Sequence, residues 1–144
     1  VIDTGSSVPP QAELHLLSHA GRPLEDWVSR RAIRAAFVRA GGPDTADVKE
    51  IAERARAGDR AAALAFGGAF EVLGEVLGPW LQRFRAELVV VGGSISRSWD
   101  LIEQPLRTGL SHSSDWRAAI ETAAWPELSP LVGAAYPAAR SSSG

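Results

Sequence analysis

Three groups of residues in this 144-residue chain could do chemistry. The first is Gly92-Gly93-Ser94-Ile95, which follows the apolar run Leu88-Val89-Val90-Val91. Glycines let a ligand approach the backbone, and a helix opening after such a turn attracts anions to its N-terminus. The same residues also make an ordinary strand-to-helix turn, and a Gly-Gly pair alone does not separate the two readings. The second group is Glu13 and Glu25, carboxylates that can accept hydrogen bonds from sugar hydroxyls or take part in acid–base chemistry. Glu25 is equally well placed to meet the dipole of a helix that starts beside it. The third is His15 and His19, four residues apart in a stretch that does not look helical. The sequence supplies them with no evident third ligand, so no metal site is expected there. Arg30, Arg31, Arg34 and Arg39 sit near Asp26, Glu50 and Glu53 and read as a solvated face.

These residues need elements to hold them. Residues 1–10 read as a strand end and a loop, 13–17 as a short strand, and 18–22 as a loop. A helix is expected from Pro23, with Trp27, Ile33, Phe37 and Ala40 on one face, stopped by Gly41-Gly42-Pro43. Gly42 reads as part of a mere connection. Asp44 or Thr45 is expected to cap a second helix through Ala57, which buries Val48, Ile51 and Ala55. Gly58 ends it and Asp59 caps a third. In that third helix Phe66, Phe70, Leu73, Leu77, Leu81 and Phe84 recur every three or four residues. Gly67, Gly68, Gly74 and Gly78 lie inside it, which implies a second backbone crossing closely, and Pro79 is expected to kink or split it.

The run at 88–91 reads as a strand of a parallel sheet, buried on both faces. Ser96 or Ser98 is expected to cap a fourth helix through about Leu110, kinked near Pro105. Residues 116–124 read as a last strand, 128–139 as a last helix, and 140–144 as a frayed tail. The fold class is therefore α/β, a partial sheet with several packed helices.

Composition narrows the function. The net charge of −2 leaves no cationic surplus to drive binding to a phosphate backbone, so direct nucleic-acid binding is not expected. Zero Cys removes disulfides and thiolate metal sites. No uninterrupted apolar run nears the roughly 20 residues of a membrane span, so no membrane partner is expected. Absence of Met and a start at Val1 suggest a piece of a longer protein, and no signal-peptide pattern opens it. The five Trp read as core or interface anchors.

Taken in order, several stretches resemble the ROK family (repressors, open reading frames and sugar kinases). Residues 24–33, LEDWVSRRAI, resemble its "LE-x-x-x-S-G-x-A-I"; 57–62, AGDRAA, its "A-x-x-GD-x-x-A" junction; 88–96, LVVVGGSIS, its "I-V-L-GGG-I-S" turn; and 131–135, LVGAA, its closing "L-x-GAA". The resemblance implies a ribonuclease-H-like (actin-like ATPase) fold, with residues 1–144 forming most of the C-terminal lobe. The N-terminal lobe would carry the "D-x-GGT" phosphate loop and the catalytic Asp of "N-D-x-N", so no catalytic residue is expected in this chain. The "GTG-x-GGG" turn of the C-terminal lobe also falls outside it.

The resemblance further implies that Gly92, Gly93, Ser94 and Ile95 contact the nucleoside of ATP, bound with Mg, while Glu13 and Glu25 contact the sugar. Glu13 matches the Glu of "G-E-x-G-H", with Ala12 replacing the Gly and Leu16 standing where the His would be; Glu25 matches the Glu that ends "C-x-CG-x-x-GC-x-E". No Cys precedes Glu25, so zinc is not expected. The implied parent is a cytoplasmic ATP-dependent sugar kinase, and the fragment alone is expected to be inactive. The family's sugar-sensing transcriptional regulators offer an alternative, a non-catalytic lobe of a DNA-binding parent. A lobe used mainly for homodimerisation is the third reading.

Overall fold

The computed structural model describes residues 16–123 and, as backbone, residues 133–135. Two short strands, β1 (Ser18–His19) and β2 (Arg22–Pro23), pair antiparallel through Ala20 and Gly21, both at positive φ. The expected loop at 18–22 is thus a tight hairpin. The expected helix from Pro23 is two helices, α1 (Glu25–Val28) and α2 (Arg30–Arg39). Ser29 breaks them: its backbone is extended at ψ 162° and its hydroxyl accepts from Ala32 N at 3.1 Å, capping α2.

Of the expected face, Ile33 and Phe37 are buried and Ala40 is exposed. Helix α3 (Val48–Arg56) starts later than expected, because Asp47 and not Asp44 or Thr45 caps it, accepting from Glu50 N at 2.8 Å. Gly42 is more than a connection. A Cβ there would meet the Phe37 ring, with Cε1 at 2.5 Å, and Phe37 is fully buried.

Asp59 caps α4 (Arg60–Phe84) as expected, through Ala62 N at 3.1 Å. The helix runs through Pro79 without splitting. By length and composition α4 could cross a membrane, but here it is the central beam of the core, burying Ala62, Ala65, Phe66, Ala69, Phe70, Leu77 and Leu81. Two of its four glycines explain themselves. A Cβ on Gly74 would lie 2.7 Å from the backbone N of Leu110, and one on Gly78 would lie 2.8 Å from Ser114 Oγ. Gly68 has nothing within 4 Å and Gly67 only Pro105 at 3.9 Å.

The backbone that crosses α4 belongs to α5 (Trp99–Ser113), which contains Pro105 and extends past the expected Leu110. It connects β3 (Leu88–Val91) to β4 (Ala119–Thr122), which lie parallel with Val89 opposite Ile120. A third strand, β5 (Gly133–Ala135), pairs antiparallel on the other edge of β3. The expected helix at 128–139 is therefore wrong at Gly133–Ala135. An open strand edge presents unpaired backbone donors and acceptors, and satisfying them outweighs the helix preference of alanine. The remaining residues of that expected helix lie outside the described residues, as does the tail at 140–144. Strand β3 is central, with Val89 and Val91 buried on one face and Leu88 and Val90 half-buried on the other, so the second face is only partly covered.

The last strand is shorter than 116–124 because Trp116 precedes it with a different task. Its indole donates to the Ala86 carbonyl at 2.7 Å while the ring is buried, joining the end of α4 to the entry of β4. Trp116→Phe leaves that carbonyl without its partner. A loss of about 1–3 kcal/mol is expected. It should show in urea unfolding as a lower midpoint at unchanged slope.

Candidate functional site

The turn at the carboxyl end of β3 is the point where open α/β sheets bind ligands. Val91 O accepts from Ala123 N at 2.8 Å, closing the strand end, and Gly92 is buried. Gly93 takes φ 73° and ψ −166°, a conformation reserved in practice for glycine. Its carbonyl receives Ser96 N at 3.2 Å and Ser96 Oγ at 2.8 Å, which tightens residues Ser94–Ser98 into a 3-10 turn before α5. The expected serine cap is therefore absent. Ser98 holds the N-cap position of α5 without a side-chain hydrogen bond, and Ser96 is spent on the turn. Ser94 is exposed and Ile95 half-buried.

The turn opens onto a groove of about 1010 Å³ bounded by α2, α3 and the start of α5. Phe66, Phe70 and Ile102 line it below, and six cations (Arg30, Arg31, Arg34, Lys49, Arg56 and Arg97) outnumber the three carboxylates Asp44, Asp47 and Glu53 around it. Two of these arginines are structural. Arg34 donates to the carbonyls of Ala46 at 3.1 Å and Asp44 at 3.0 Å, pinning the α2–α3 connection. Arg56 forms a fork on Asp100, at 2.8 Å and 2.9 Å, and donates to Arg97 O at 3.2 Å, tying α3 to α5. The Arg56 hydrogen bond holds the Asp100 carboxyl below its usual range and raises Arg56 in turn. A depressed carboxyl stabilises above its ordinary titration range and loses that contribution as pH falls. The pair is largely solvent-exposed, so its role is to register α3 on α5 more than to stabilise the fold.

Of the residues singled out from sequence, Ser94 and Ile95 line the groove; Gly92 and Gly93 sit behind them in the turn and do not. Glu25 is exposed in the first turn of α1 and does not line the groove, although Val28 at the other end of that helix does. Glu13 and His15 lie outside the described residues. Sequence reading missed Arg56 and Asp100, which are 44 positions apart, so no local pattern could have joined them.

The ROK family model matches residues 19–140, a stretch that takes in the described elements from β2 to β5. The chain belongs to the ROK family. One curated relative is a glucokinase from Thermotoga maritima, 35% identical over 68 residues, covering 47% of this chain and 22% of that protein. Among solved structures it is similar to a ROK family glucokinase from Streptomyces griseus in complex with glucose and AMPPNP. The TM-score is 0.60 at 22% identity, over 69% of this chain and 39% of that one. It is also similar to a candidate sugar kinase from Cytophaga hutchinsonii, with a TM-score of 0.66 at 20% identity, over 77% and 42%. This ROK chain thus spans less than half the length of each of these three relatives.

Proposed function

We propose that residues 1–144 are most of the C-terminal lobe of a ribonuclease-H-like, ATP-dependent sugar kinase acting in the cytoplasm. The observation that carries the reading is the groove beneath Ser94 and Ile95, in a chain whose family match runs almost end to end. Its apolar lining suits a flat nucleoside, and its surplus of arginine and lysine over Asp44, Asp47 and Glu53 suits an anionic tail, so the residues present fit ATP, whose Mg would be carried on its phosphates. In this reading Ser94 and Ile95 contact the nucleoside directly, and Gly92 and Gly93 shape the backbone that presents them. Glu13 and Glu25 accept hydrogen bonds from the sugar. ATP supplies the γ-phosphoryl group. The general base and most phosphate contacts come from the N-terminal lobe, for which this chain has no "N-D-x-N" or "D-x-GGT" counterpart.

Phosphoryl transfer depends on holding donor, acceptor and base together, so half of the cleft achieves nothing. The isolated chain is expected to release no sugar-dependent ADP. The full-length parent should turn over, and Glu25→Gln in it should raise the KM for sugar about tenfold or more while the KM for ATP holds. Sugar-dependent ADP release by the isolated chain would overturn the reading. A parent that binds sugar and ATP without turnover would move it to the sugar-sensing regulator.

A further inference from the structure

Away from the groove, four side chains from three elements converge on α4. Glu71 and Glu75 are one turn apart on that helix. His112, in the last turn of α5, places Nδ1 3.5 Å from Oε1 of Glu71 and 3.5 Å from Oε1 of Glu75. His19 of β1 places Nε2 3.7 Å from the other Glu75 oxygen, Oε2. The convergence follows from the helix crossing. Gly109 lies so close to α4 that a Cβ on it would sit 2.9 Å from Glu75 N and 2.8 Å from the Glu71 carbonyl carbon. His112, three residues further along α5, is thereby delivered over the carboxylate pair.

The spacing is informative. A direct N–H···O bond would bring nitrogen and oxygen to about 2.7–3.2 Å. Ligand atoms on a tetrahedral ion with bonds of about 2.0–2.2 Å stand roughly 3.3–3.6 Å apart. One atom from each of Glu71, Glu75 and His112 falls within 4.8 Å of the others. All three side chains keep access to solvent, so an ion can enter.

We propose that Glu71, Glu75 and His112 bind a divalent first-row transition ion through one oxygen, one oxygen and Nδ1, leaving a fourth position for water. Imidazole with two carboxylates suits zinc-like ions better than Ca²⁺ or Mg²⁺, which prefer all-oxygen shells. His19, with Nε2 3.7 Å from the free oxygen of Glu75 and too far to hydrogen-bond it, packs beside that carboxylate and acts as a positioning residue by limiting how far the ligand can swing. The ion clasps α5 to α4, and the β1–β2 hairpin lies against this clasp through His19. Trp27 extends the clasp to α1, since its indole donates to His19 O at 3.1 Å and its ring meets the imidazole edge-on at 5.2 Å. The clasp does not rest on the kinase reading.

The test is calorimetric titration of the chelator-treated chain with ZnCl₂, paired with the visible spectrum of its Co²⁺ form. One equivalent should bind with Kd below about 10 µM. His112→Gln and Glu75→Gln should each weaken binding more than about tenfold and abolish the Co²⁺ bands, and His19→Gln should weaken it about tenfold. Glu87→Gln, on the exposed approach to β3, should leave it unchanged. His112 is exposed, so its variant should fold, and far-UV circular dichroism checks that it does. No saturable Zn²⁺ binding below about 100 µM would overturn the proposal. So would binding undiminished in the folded His112→Gln and Glu75→Gln chains.

Discussion

In the full-length parent, Gly93→Val is expected to weaken nucleotide binding at least tenfold, about 1.4 kcal/mol. Gly93 holds φ at 73°, and a β-branched residue at positive φ is strained by about 1–3 kcal/mol. The backbone will relieve that strain by turning toward extended geometry. The Ser96 hydrogen bonds to Gly93 O then fail, and Ser94 and Ile95 leave the edge of the groove. Strain alone could unfold the lobe and imitate lost binding, so a matched control is needed. Gly42 cannot serve, because a side chain there strikes Phe37. Gly58 can: its φ is 93°, nothing lies within 4 Å of its would-be Cβ, and it does not line the groove. Gly58→Val should lose comparable stability and keep its nucleotide affinity. Equal affinity in a folded Gly93→Val parent would reduce the turn to a chain reversal.

The largest effect on stability is expected at Gly109. Alanine there gains about 1 kcal/mol of helix propensity over glycine. Its Cβ, however, would overlap the backbone of Glu71 and sit 2.9 Å from Glu75 N, and a helix backbone cannot rotate aside as a side chain can. Relief requires α5 to lift from α4, which loosens Leu106 and Leu110 against the core. Overpacking of this kind costs about 1–3 kcal/mol, and more where backbone must move. Gly109→Ala should therefore lose about 2 kcal/mol or more net. Gly68→Ala, with nothing within 4 Å, should instead gain up to about 1 kcal/mol. Urea midpoints of the two variants, measured side by side, separate the effects. A stabilised Gly109→Ala chain would mean that the helices do not cross this closely.

Local chemistry was legible wherever one short segment decides the outcome. Asp59 as a cap, the apolar stripe from Phe66 to Phe84, and the β-branched run at 88–91 each follow from a window of a few residues. So does the family assignment, because its motifs are contiguous stretches of chain. Tertiary structure overrode local preference where a distant partner supplied the larger free energy. Alanine-rich 133–135 became a strand because β3 offered an open edge, and α4 ran on through Pro79 as the central helix of the core. The break at Ser29 is different in kind: its hydroxyl caps α2 through Ala32, three residues on, a local signal.

The candidate sites divide along the same line. The Gly-Gly turn is one loop and could be read directly. The groove it faces needs Arg34, Lys49 and Arg56 from two other helices, and its extent could be known only once they packed. The His19, Glu71, Glu75 and His112 cluster spans most of the described chain, and His19 alone gave no hint of its neighbours. Sequence determines which side chains are available and which local turns hold them. Their meeting depends on how closely two helices can pack, and here that distance was decided by Gly74 and Gly109, two residues with no chemistry of their own.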